Sequence, residues 1–354
     1  MRRIGYCVLF VLMLFAWHAN ADPPAALRRG VNITNWFRFP PNRDPAVLRA
    51  YLDDAAISRI RQAGFTFVRL AVQSDLLSET EPLRDAVGRL ERQGLAVVVA
   101  LFPHGWQPET APERLLAAWR SLAPLLRSFD PARTFPETLN EPVFADAPED
   151  WPRLQREVLA AIRSALPLNT VILTGADWGS VRGLLALSPD PDPNVVYSFH
   201  YYEPAELTAL GAYRLGLDRT AMARLPFPAA DPATCEKAAA VTEDTMTIGL
   251  IRFYCALHWD ANKIAARIAQ VGTWAARNHV AVIAGEFGAS RELNRESRAA
   301  WLAAVRDACE QHGLGWALWG YDDSMGFAAK PAAASGLDPV VLRALGLSES
   351  QPAK

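Results

Sequence analysis

Thr138-Leu139-Asn140-Glu141-Pro142 closes an apolar run that begins at Phe135, and this stretch organises the interpretation of the chain. A buried strand that runs into Asn-Glu and is then stopped by a proline presents a carboxylate at the mouth of a barrel. A second stretch, Ala281-Val282-Ile283-Ala284-Gly285-Glu286-Phe287-Gly288, repeats this pattern. Here glycines flank the glutamate, and their lack of a side chain lets another group approach the backbone closely. Either stretch alone is a weak signal, because polar turns after strands are common. Together they predict two strand-end carboxylates that share one site.

The alternation of strand and helix patterns predicts the fold. Eight apolar runs rich in β-branched residues are each followed by a helical pattern. The strands are predicted over 30–36, 65–72, 95–102, 135–141, 171–174, 195–202, 280–284 and 315–319, and the helices over 55–63, 79–93, 112–128, 151–166, 178–187, 260–278, 294–312 and 339–345. This count is typical of an α/β fold, the (β/α)8 TIM barrel. No internal repeat or composition break interrupts the pattern, so a single catalytic domain is expected over 22–354.

A long insertion after the sixth strand, 203–258, is the irregular part of the barrel pattern. It far exceeds an ordinary strand-to-helix loop and contains several helix formers, so a small subdomain over one side of the mouth is expected. It also contains Cys235 and Cys255, which are a plausible disulfide in an oxidising compartment. Cys309 lies on a helical pattern and is expected to be a buried free thiol.

The N-terminus has the three parts of a secretory signal peptide. Arg2-Arg3 form the basic region, 7–17 the apolar region, and Ala19-Asn20-Ala21 the cleavage site. The apolar region is too short to span a bilayer comfortably, and no later run is as long. We therefore expect cleavage after residue 21, export to a periplasm or to the medium, and no membrane anchor.

Composition narrows the possible functions. The 354 residues are 51% apolar and 21% charged, as in ordinary globular proteins. Removing the leader changes the formal net charge from −2 to about −4, which suggests neither nucleic acid nor an anionic membrane as a partner. Motifs for nucleotide cofactors, zinc and serine hydrolases (GxGxxG, the P-loop, HExxH and GxSxG) are missing, and the histidines lack ligand-like spacing. Neither a metal nor a cofactor is therefore expected.

Polar and aromatic residues cluster at the predicted strand ends, where barrels of this type hold their active sites. They are Asn32, Asn35, Trp36, Arg69, His104, Asn140, Glu141, His200, Tyr202, Glu286, Trp319 and Tyr321. Carboxylates can act as acid and nucleophile toward a sugar, polar groups bind its hydroxyls, and aromatic faces pack on the apolar side of the ring. This mixture predicts a carbohydrate site.

Five stretches make a family resemblance specific. They are Phe67-Val68-Arg69-Leu70, Leu139-Asn140-Glu141-Pro142, Phe199-His200-Tyr201-Tyr202-Glu203-Pro204, Gly285-Glu286-Phe287-Gly288 and Trp316-Ala317-Leu318-Trp319. In content and order the chain resembles glycoside hydrolase family 5, the old cellulase family A. The resemblance implies that Glu141 is the general acid/base and Glu286 the nucleophile of a retaining double displacement, with carboxyls roughly 5–5.5 Å apart. Glu141 is then expected to have a raised pKa, and Glu286 to stay ionised.

The same resemblance implies roles for the supporting residues. Arg69 and Tyr202 would hold Glu286 ionised and oriented, and Asn140 would bind the sugar 2-hydroxyl. His200 would lie near Glu141, and Trp319 would form the floor beneath the sugar at subsite −1. Arg69 could instead be a structural ion pair and His200 a core histidine.

The third strand departs from the family pattern, which usually ends in an acidic residue and then a histidine. This chain reads Ala100-Leu101-Phe102-Pro103-His104. Either His104 takes the role of that histidine from two positions further on, or Phe102 has replaced it.

Several aromatic residues at loop ends have two interpretations. Trp36, Trp106 and Tyr321 could be sugar platforms or could simply pack in the core. Asp322 and Asp323 are interpreted as a solvated turn.

The sequence thus predicts a secreted, monomeric endo-β-1,4-glucanase-like enzyme that acts on β-glucan. The family also implies β-1,3-glucanases, mannanases and β-glucosidases, and a transglycosylase acting on envelope glucan would use the same two glutamates. An insertion that walls off the cleft would favour short oligosaccharides or exo-action. An idle carbohydrate-binding barrel is disfavoured because both glutamates are present.

Overall fold

The computed structural model describes residues 22–76, 80–106, 111–144, 147, 149–328 and 336–348. The predicted signal peptide and the start of the helix expected at 79 lie outside these ranges. Within them, no helix has both the length and the apolar character needed to cross a membrane.

Eight parallel strands form a closed barrel in chain order, and the last strand pairs with the first. The strands are β1 (Arg29–Phe37), β2 (Phe67–Gln73), β3 (Ala96–Phe102), β4 (Thr134–Glu137), β5 (Val171–Thr174), β6 (Val195–Tyr201), β7 (Ala281–Phe287) and β8 (Gly315–Leu318). The predicted (β/α)8 barrel is confirmed.

The helices surround this barrel. They are α1 (Pro45–Ala50), α2 (Asp54–Gln62), α3 (Thr80–Arg92), α4 (Ala111–Leu126), α5 (Asp150–Ala165), α6 (Val181–Leu185), α7 (Ala205–Thr208), α8 (Arg219–Met222), α9 (Pro232–Ala239), α10 (Thr245–Ala256), α11 (Ala261–Asn278), α12 (Arg295–Gln311) and α13 (Pro339–Ala344). Many begin at a side-chain cap. Asp53, Asp260 and Asn294, for example, accept from backbone N–H groups of the first turns of α2, α11 and α12.

The barrel interior is layered. Its lower part is apolar, with Phe67 of β2 and Phe135 of β4 among the side chains that fill it. Side chains two positions apart on a strand face the same side, so the next inward residues on these strands are Arg69 and Glu137. The apolar layer therefore supports a charged layer just below the mouth.

The insertion after β6 contains α7 to α10. A disulfide of 2.03 Å joins Cys235 in α9 to Cys255 in α10, and Cys309 is a buried free cysteine in α12.

Candidate active site

Arg69 lies at the centre of the site, fully buried inside the barrel. Its Nε and Nη2 donate to the two carboxylate oxygens of Glu137 at 2.7 and 2.6 Å, and Nη1 donates to Glu286 Oε1 at 2.6 Å. Asn32 Oδ1 and Asn140 Oδ1 accept from Nη1 and Nη2 at 2.8 and 2.9 Å. Burial favours loss of the Arg69 proton, but the two carboxylates outweigh burial and raise its pKa.

Glu137 is a site residue that the sequence analysis missed. It is fully buried and occupies the last position of β4, four residues before Glu141. A signal was present, since an acidic residue two positions after the inward-facing Phe135 shares its side of the strand. The two interpretations of Arg69 are therefore compatible, because it forms a structural ion pair and also contacts Glu286.

Glu286 is positioned by a register irregularity between β6 and β7. Phe199 pairs with Ala284, but the next residue, His200, pairs with Glu286, so Gly285 is the extra residue of a bulge. A Cβ at Gly285 would lie 2.2 Å from Ser198 Oγ, which explains the glycine. The bulge places the Glu286 carboxylate next to the His200 ring.

Both oxygens of Glu286 are held. Arg69 contacts Oε1, and the Tyr202 hydroxyl donates to Oε2 at 2.8 Å. Burial raises the pKa of Tyr202 well above its usual value, and the charge of Glu286 raises it further, so the phenol stays a donor. The carboxylate of Glu286 is thereby fixed in one orientation.

Glu141 lies beyond β4, in a turn with φ +45°, a conformation uncommon for residues other than glycine. Its side chain is 26% exposed, and its Oε1 lies 3.1 Å from His200 Nδ1. The same nitrogen lies 3.4 Å from Glu286 Oε2. One ring nitrogen thus lies between the two carboxylates. A ring nitrogen of His200, an oxygen of Glu141 and an oxygen of Glu286 all lie within 4.8 Å of one another.

The pKa shifts of the two glutamates run opposite to the predicted order. Burial raises the pKa of Glu286, and the charges of His200 and Arg69 offset this only in part. Burial acts the same way on Glu141, but the His200 hydrogen bond, with the charges of His200, Arg69 and Arg38, outweighs it and lowers the pKa. Burial opposes protonation of His200, yet the two carboxylates raise its pKa. One histidine and the difference in burial therefore set the pKa of Glu286 above its usual range and that of Glu141 below it.

An aromatic floor lies beside the carboxylates. Trp319, the residue after β8, is half-buried, and its ring centroid lies 6.2 Å from that of Phe102 at the end of β3. The guanidinium carbon of Arg38, which follows β1, lies 4.2 Å from the Phe102 ring centroid and 5.6 Å from that of Trp319. The sequence analysis missed Arg38, because no strand-end pattern includes it.

The model of one protein family matches residues 29–324, and that family is the cellulases, glycosyl hydrolase family 5. The chain belongs to this family. The resemblance carried by the five strand-end stretches is thereby confirmed.

Its relatives include endoglucanases. Endoglucanase 3 of Fibrobacter succinogenes is 25% identical over 358 residues, covering 91% of this chain and 53% of the relative. Endoglucanase H of Acetivibrio thermocellus is 23% identical over 317 residues, covering 84% and 30%. The chain thus spans about half the length of the first relative and less than a third of the second. The structure of endoglucanase Cel5A from Thermotoga maritima matches with a TM-score of 0.72 at 25% identity, covering 90% of this chain and 97% of that one.

Two residues expected to contact substrate are placed elsewhere. His104 does not take the role of the family's third-strand histidine, because its side chain is 60% exposed and its Nδ1 lies 3.3 Å from Asp75. Phe102 lies in the site instead. Trp36 is fully buried, donates from Nε1 to Leu48 O at 2.7 Å and stacks on Tyr51, so it packs in the core and is not a sugar platform.

Much of the segment after Trp319 is also buried. Tyr321 packs against Phe327 in the core, whereas Trp106 is half-buried at the edge of the same core. Asp322 accepts from Asn35 Nδ2 at 3.1 Å, and Asp323 accepts from the Thr34 hydroxyl at 2.9 Å. The interpretation of these two aspartates as a solvated turn is wrong, because both bind residues of β1.

Trp178 is a second aromatic residue of the mouth that the sequence analysis did not assign. It follows β5, is 60% exposed, and donates from its backbone N–H to Pro142 O at 3.2 Å. The neighbouring Gly179 lies against the His200 ring: a Cβ built on Gly179 would lie 3.5 Å from the nearest ring atoms. Trp178 therefore lies beside the Glu141 turn, on the other side of the carboxylates from Trp319.

Within the described part of the chain, only Glu141, His200 and Glu286 bring metal-binding atoms close enough together to share an ion. Arg69 already neutralises charge at Glu286, and Arg38 and His200 add positive charge nearby. This positive charge disfavours the binding of a metal cation at the trio.

Proposed function

We propose that this chain is a retaining glycoside hydrolase that cleaves β-1,4-linked glucan at internal bonds by double displacement. The observation that carries the proposal is the closeness of the two carboxylates, whose nearest oxygens lie within 4.8 Å across His200. Inverting glycosidases need about 6.5–9.5 Å between carboxyls to admit a water, whereas retaining enzymes need about 5–5.5 Å. The short separation supports a covalent glycosyl intermediate.

In the first step Glu286 attacks the anomeric carbon while Glu141 protonates the leaving oxygen. Arg69 and Tyr202 hold the two oxygens of Glu286 and orient one toward the sugar. Forming the glycosyl ester removes the negative charge of Glu286. The positive charge of Arg69 remains.

The proton state of Glu141 has to change when substrate binds. Its partly exposed side chain would lose solvation beneath a bound sugar, and desolvation raises a carboxyl pKa. His200, whose pKa is raised, is the nearest proton source at 3.1 Å. In the second step Glu141 takes a proton from the incoming water, and that water hydrolyses the ester.

Asn140 is well placed to bind the sugar at subsite −1. Its Oδ1 accepts from Arg69, which fixes the amide and leaves Nδ2 to donate to the 2-hydroxyl. Trp319 would pack beneath the same ring.

Internal cleavage is supported by the two sides of the mouth. Trp319 lies on the side of the sugar to be transferred, and Trp178 lies beside the acid/base, where the leaving group would extend. The named relatives are endoglucanases, which supports β-glucan as the substrate class.

We also propose that the protein is exported. The signal-like N-terminus supports export, as does the Cys235–Cys255 disulfide, a bond that persists in oxidising compartments. Fractionation of producing cells should place the mature chain outside the cytoplasm.

The testing experiment is a product profile on carboxymethylcellulose, mixed-linkage glucan, β-1,3-glucan and mannan, with the anomer of the first product followed by NMR. We expect β-anomeric oligosaccharides from the first two substrates. Glu286→Gln should abolish turnover, whereas Glu236→Gln, at an exposed ion pair with Arg252, should not change it. Release of the α-anomer would exclude double displacement.

The remaining outcomes would reassign the specificity. Release from β-1,3-glucan or mannan alone, or of monosaccharide alone, would overturn the endo-β-1,4 assignment. Products longer than the substrate would identify a transglycosylase.

A further inference from the structure

Arg38 is a cation in the cleft that the proposed mechanism does not use. It follows the last residue of β1, and its backbone N–H donates to Thr34 O at 3.0 Å. Its guanidinium carbon lies 4.2 Å from the ring centroid of Phe102, 4.7 Å from Phe39 and 5.6 Å from Trp319. Three aromatic rings therefore hold this guanidinium beside the floor of the sugar site.

Arg38 also lacks a carboxylate partner in the part of the chain that the structure describes, in contrast to Arg69. Burial lowers the pKa of Arg38, while the more distant charges of Glu286 and Glu141 act in the opposite direction. A partly desolvated charge without a direct partner is costly, and a ligand that brings an acceptor recovers this free energy. The position is therefore better suited to an incoming anion than to a purely structural role.

The third strand supplies a second, independent reason. Phe102, the last residue of β3, has an apolar ring and offers a sugar neither a hydrogen-bond donor nor an acceptor. The guanidinium of Arg38 covers this ring. The polar group at this wall of the cleft is therefore a permanent cation with a planar, bidentate geometry suited to carboxylate and phosphate.

The location of Arg38 identifies which part of the substrate it would contact. β8, β1, β2 and β3 are neighbours in the barrel, and Arg38, Phe102 and Trp319 all lie at the mouth end of this group. Trp178 follows β5, across the carboxylates. Arg38 therefore faces the glycone side, the part of the sugar chain that is transferred to Glu286.

We propose that Arg38 is a specificity-determining residue that binds an acidic substituent, a carboxylate or a phosphate, on a glycone-side sugar of the glucan. This inference rests on the proposed glucanase function and narrows its substrate class. Glu286 and Glu141 would repel such a group, so it must approach Arg38 from the side away from them. The aromatic contacts fix the guanidinium and lower the entropy cost of binding.

The test compares neutral cello-oligosaccharides with C6-carboxylated and 6-phosphorylated ones of the same length. We expect kcat/KM for an acidic substrate to exceed that for the neutral one by roughly tenfold or more, as a charge-assisted contact would give. Arg38→Gln should remove this preference, Arg38→Lys should keep part of it, and added salt should weaken it. The carboxylated and phosphorylated arms show which anion is bound.

Arg214→Gln is the matched control, because Arg214 lies over the Tyr213 ring at 5.8 Å within the insertion and should leave the preference unchanged. Equal kcat/KM for acidic and neutral substrates in the wild type would overturn the inference. An equal loss on both in Arg38→Gln would also overturn it, since Arg38 would then bind hydroxyls. Thermal melting of each variant shows that it is folded.

Calorimetric binding of the same oligosaccharides to Glu286→Gln separates this inference from the proposed function. Tighter binding of the acidic sugar without wild-type turnover would refute only the glucanase proposal. Turnover of neutral β-glucan without any acid preference would refute only the role of Arg38.

Discussion

The guanidinium of Arg69 holds two carboxylates with different roles. It binds Glu137 bidentately inside the barrel and Glu286 at the mouth. All three groups are buried, so each charge depends on the others for compensation. At this scale the stability of the barrel and the orientation of Glu286 depend on the same side chain.

Glu137→Gln should therefore be costly. Removing one partner of a buried ion pair typically destabilises a protein by about 3–5 kcal/mol, and Arg69 would also shift toward Glu286. We expect a lower midpoint of chemical denaturation and a loss of kcat. Glu236→Gln removes a bidentate Arg–Glu pair at the surface and should have no measurable effect. Equal stability of the two variants would contradict the structural role of Glu137.

His200 should set the pH range of activity. The two limbs of kcat/KM against pH report the pKa values of the paired glutamates, Glu141 and Glu286, before substrate binds. His200 lowers the pKa of both glutamates, so His200→Asn should raise both values and move both limbs to higher pH. His258→Asn, at an exposed position with φ +47°, is the control and should leave the profile unchanged. Limbs that stay in place or move to lower pH would refute this assignment.

Strand ends, more than strands, position the chemistry. β4 ends at Glu137, and the turn that follows carries Asn140 and Glu141 back to the mouth, where Asn140 N–H donates to Leu101 O at 2.8 Å. β7 reaches the mouth with a bulge at Gly285. In both places the backbone is irregular at the point where it positions a carboxylate.

Gly288 tests this arrangement at the end of β7. A Cβ there would lie 2.2 Å from the backbone oxygen of Trp319, so Gly288→Ala must displace the sugar floor. We expect about 1–3 kcal/mol of destabilisation from overpacking and at least a tenfold loss of kcat/KM from misplacement of Trp319.

Gly249→Ala is the matched control for Gly288→Ala. It lies in α10 with no atom within 4 Å of the Cβ position, so alanine should be neutral or stabilising by up to about 1 kcal/mol. Wild-type activity in Gly288→Ala would show that Trp319 does not depend on this contact.

The whole barrel defines the direction of the cleft. Arg38 and Trp319 lie on one side of the paired glutamates and Trp178 on the other. None of these three residues is close to the others in the chain. A sugar chain bound across the mouth would therefore contact Trp319 on its glycone side and Trp178 on its leaving-group side.

Trp178→Ala should weaken substrate binding only on the leaving-group side of the cleft. We expect kcat/KM for long cello-oligosaccharides to fall roughly threefold to tenfold from the loss of an aromatic contact, with little change for an aryl cellobioside whose leaving group is short. Tyr213→Ala removes another exposed aromatic ring, in the insertion, and should change neither substrate. Equal losses on both substrates would place Trp178 outside the leaving-group side.

The sequence alone was sufficient to predict the barrel and the two glutamates that meet at its mouth. Strand and helix periodicity is local, and eight alternating units admit few architectures. The five strand-end stretches led to the family for the same reason, since each is a short contiguous pattern. The missed Glu137 also followed a local rule, the two-residue period of a strand, although its partner Arg69 lies far away in the chain.

Only the tertiary structure decided which side chains meet and which are buried. Trp36 and Trp319 look alike at strand ends, yet one packs in the core and the other faces the cleft. The pKa directions at Glu141 and Glu286 depend on one histidine ring between them and on solvent access, and Arg38 is important because of the rings that three separate segments place around it. These properties arise from distances and dielectric surroundings across the whole barrel, which periodicity and spacing along the chain do not specify.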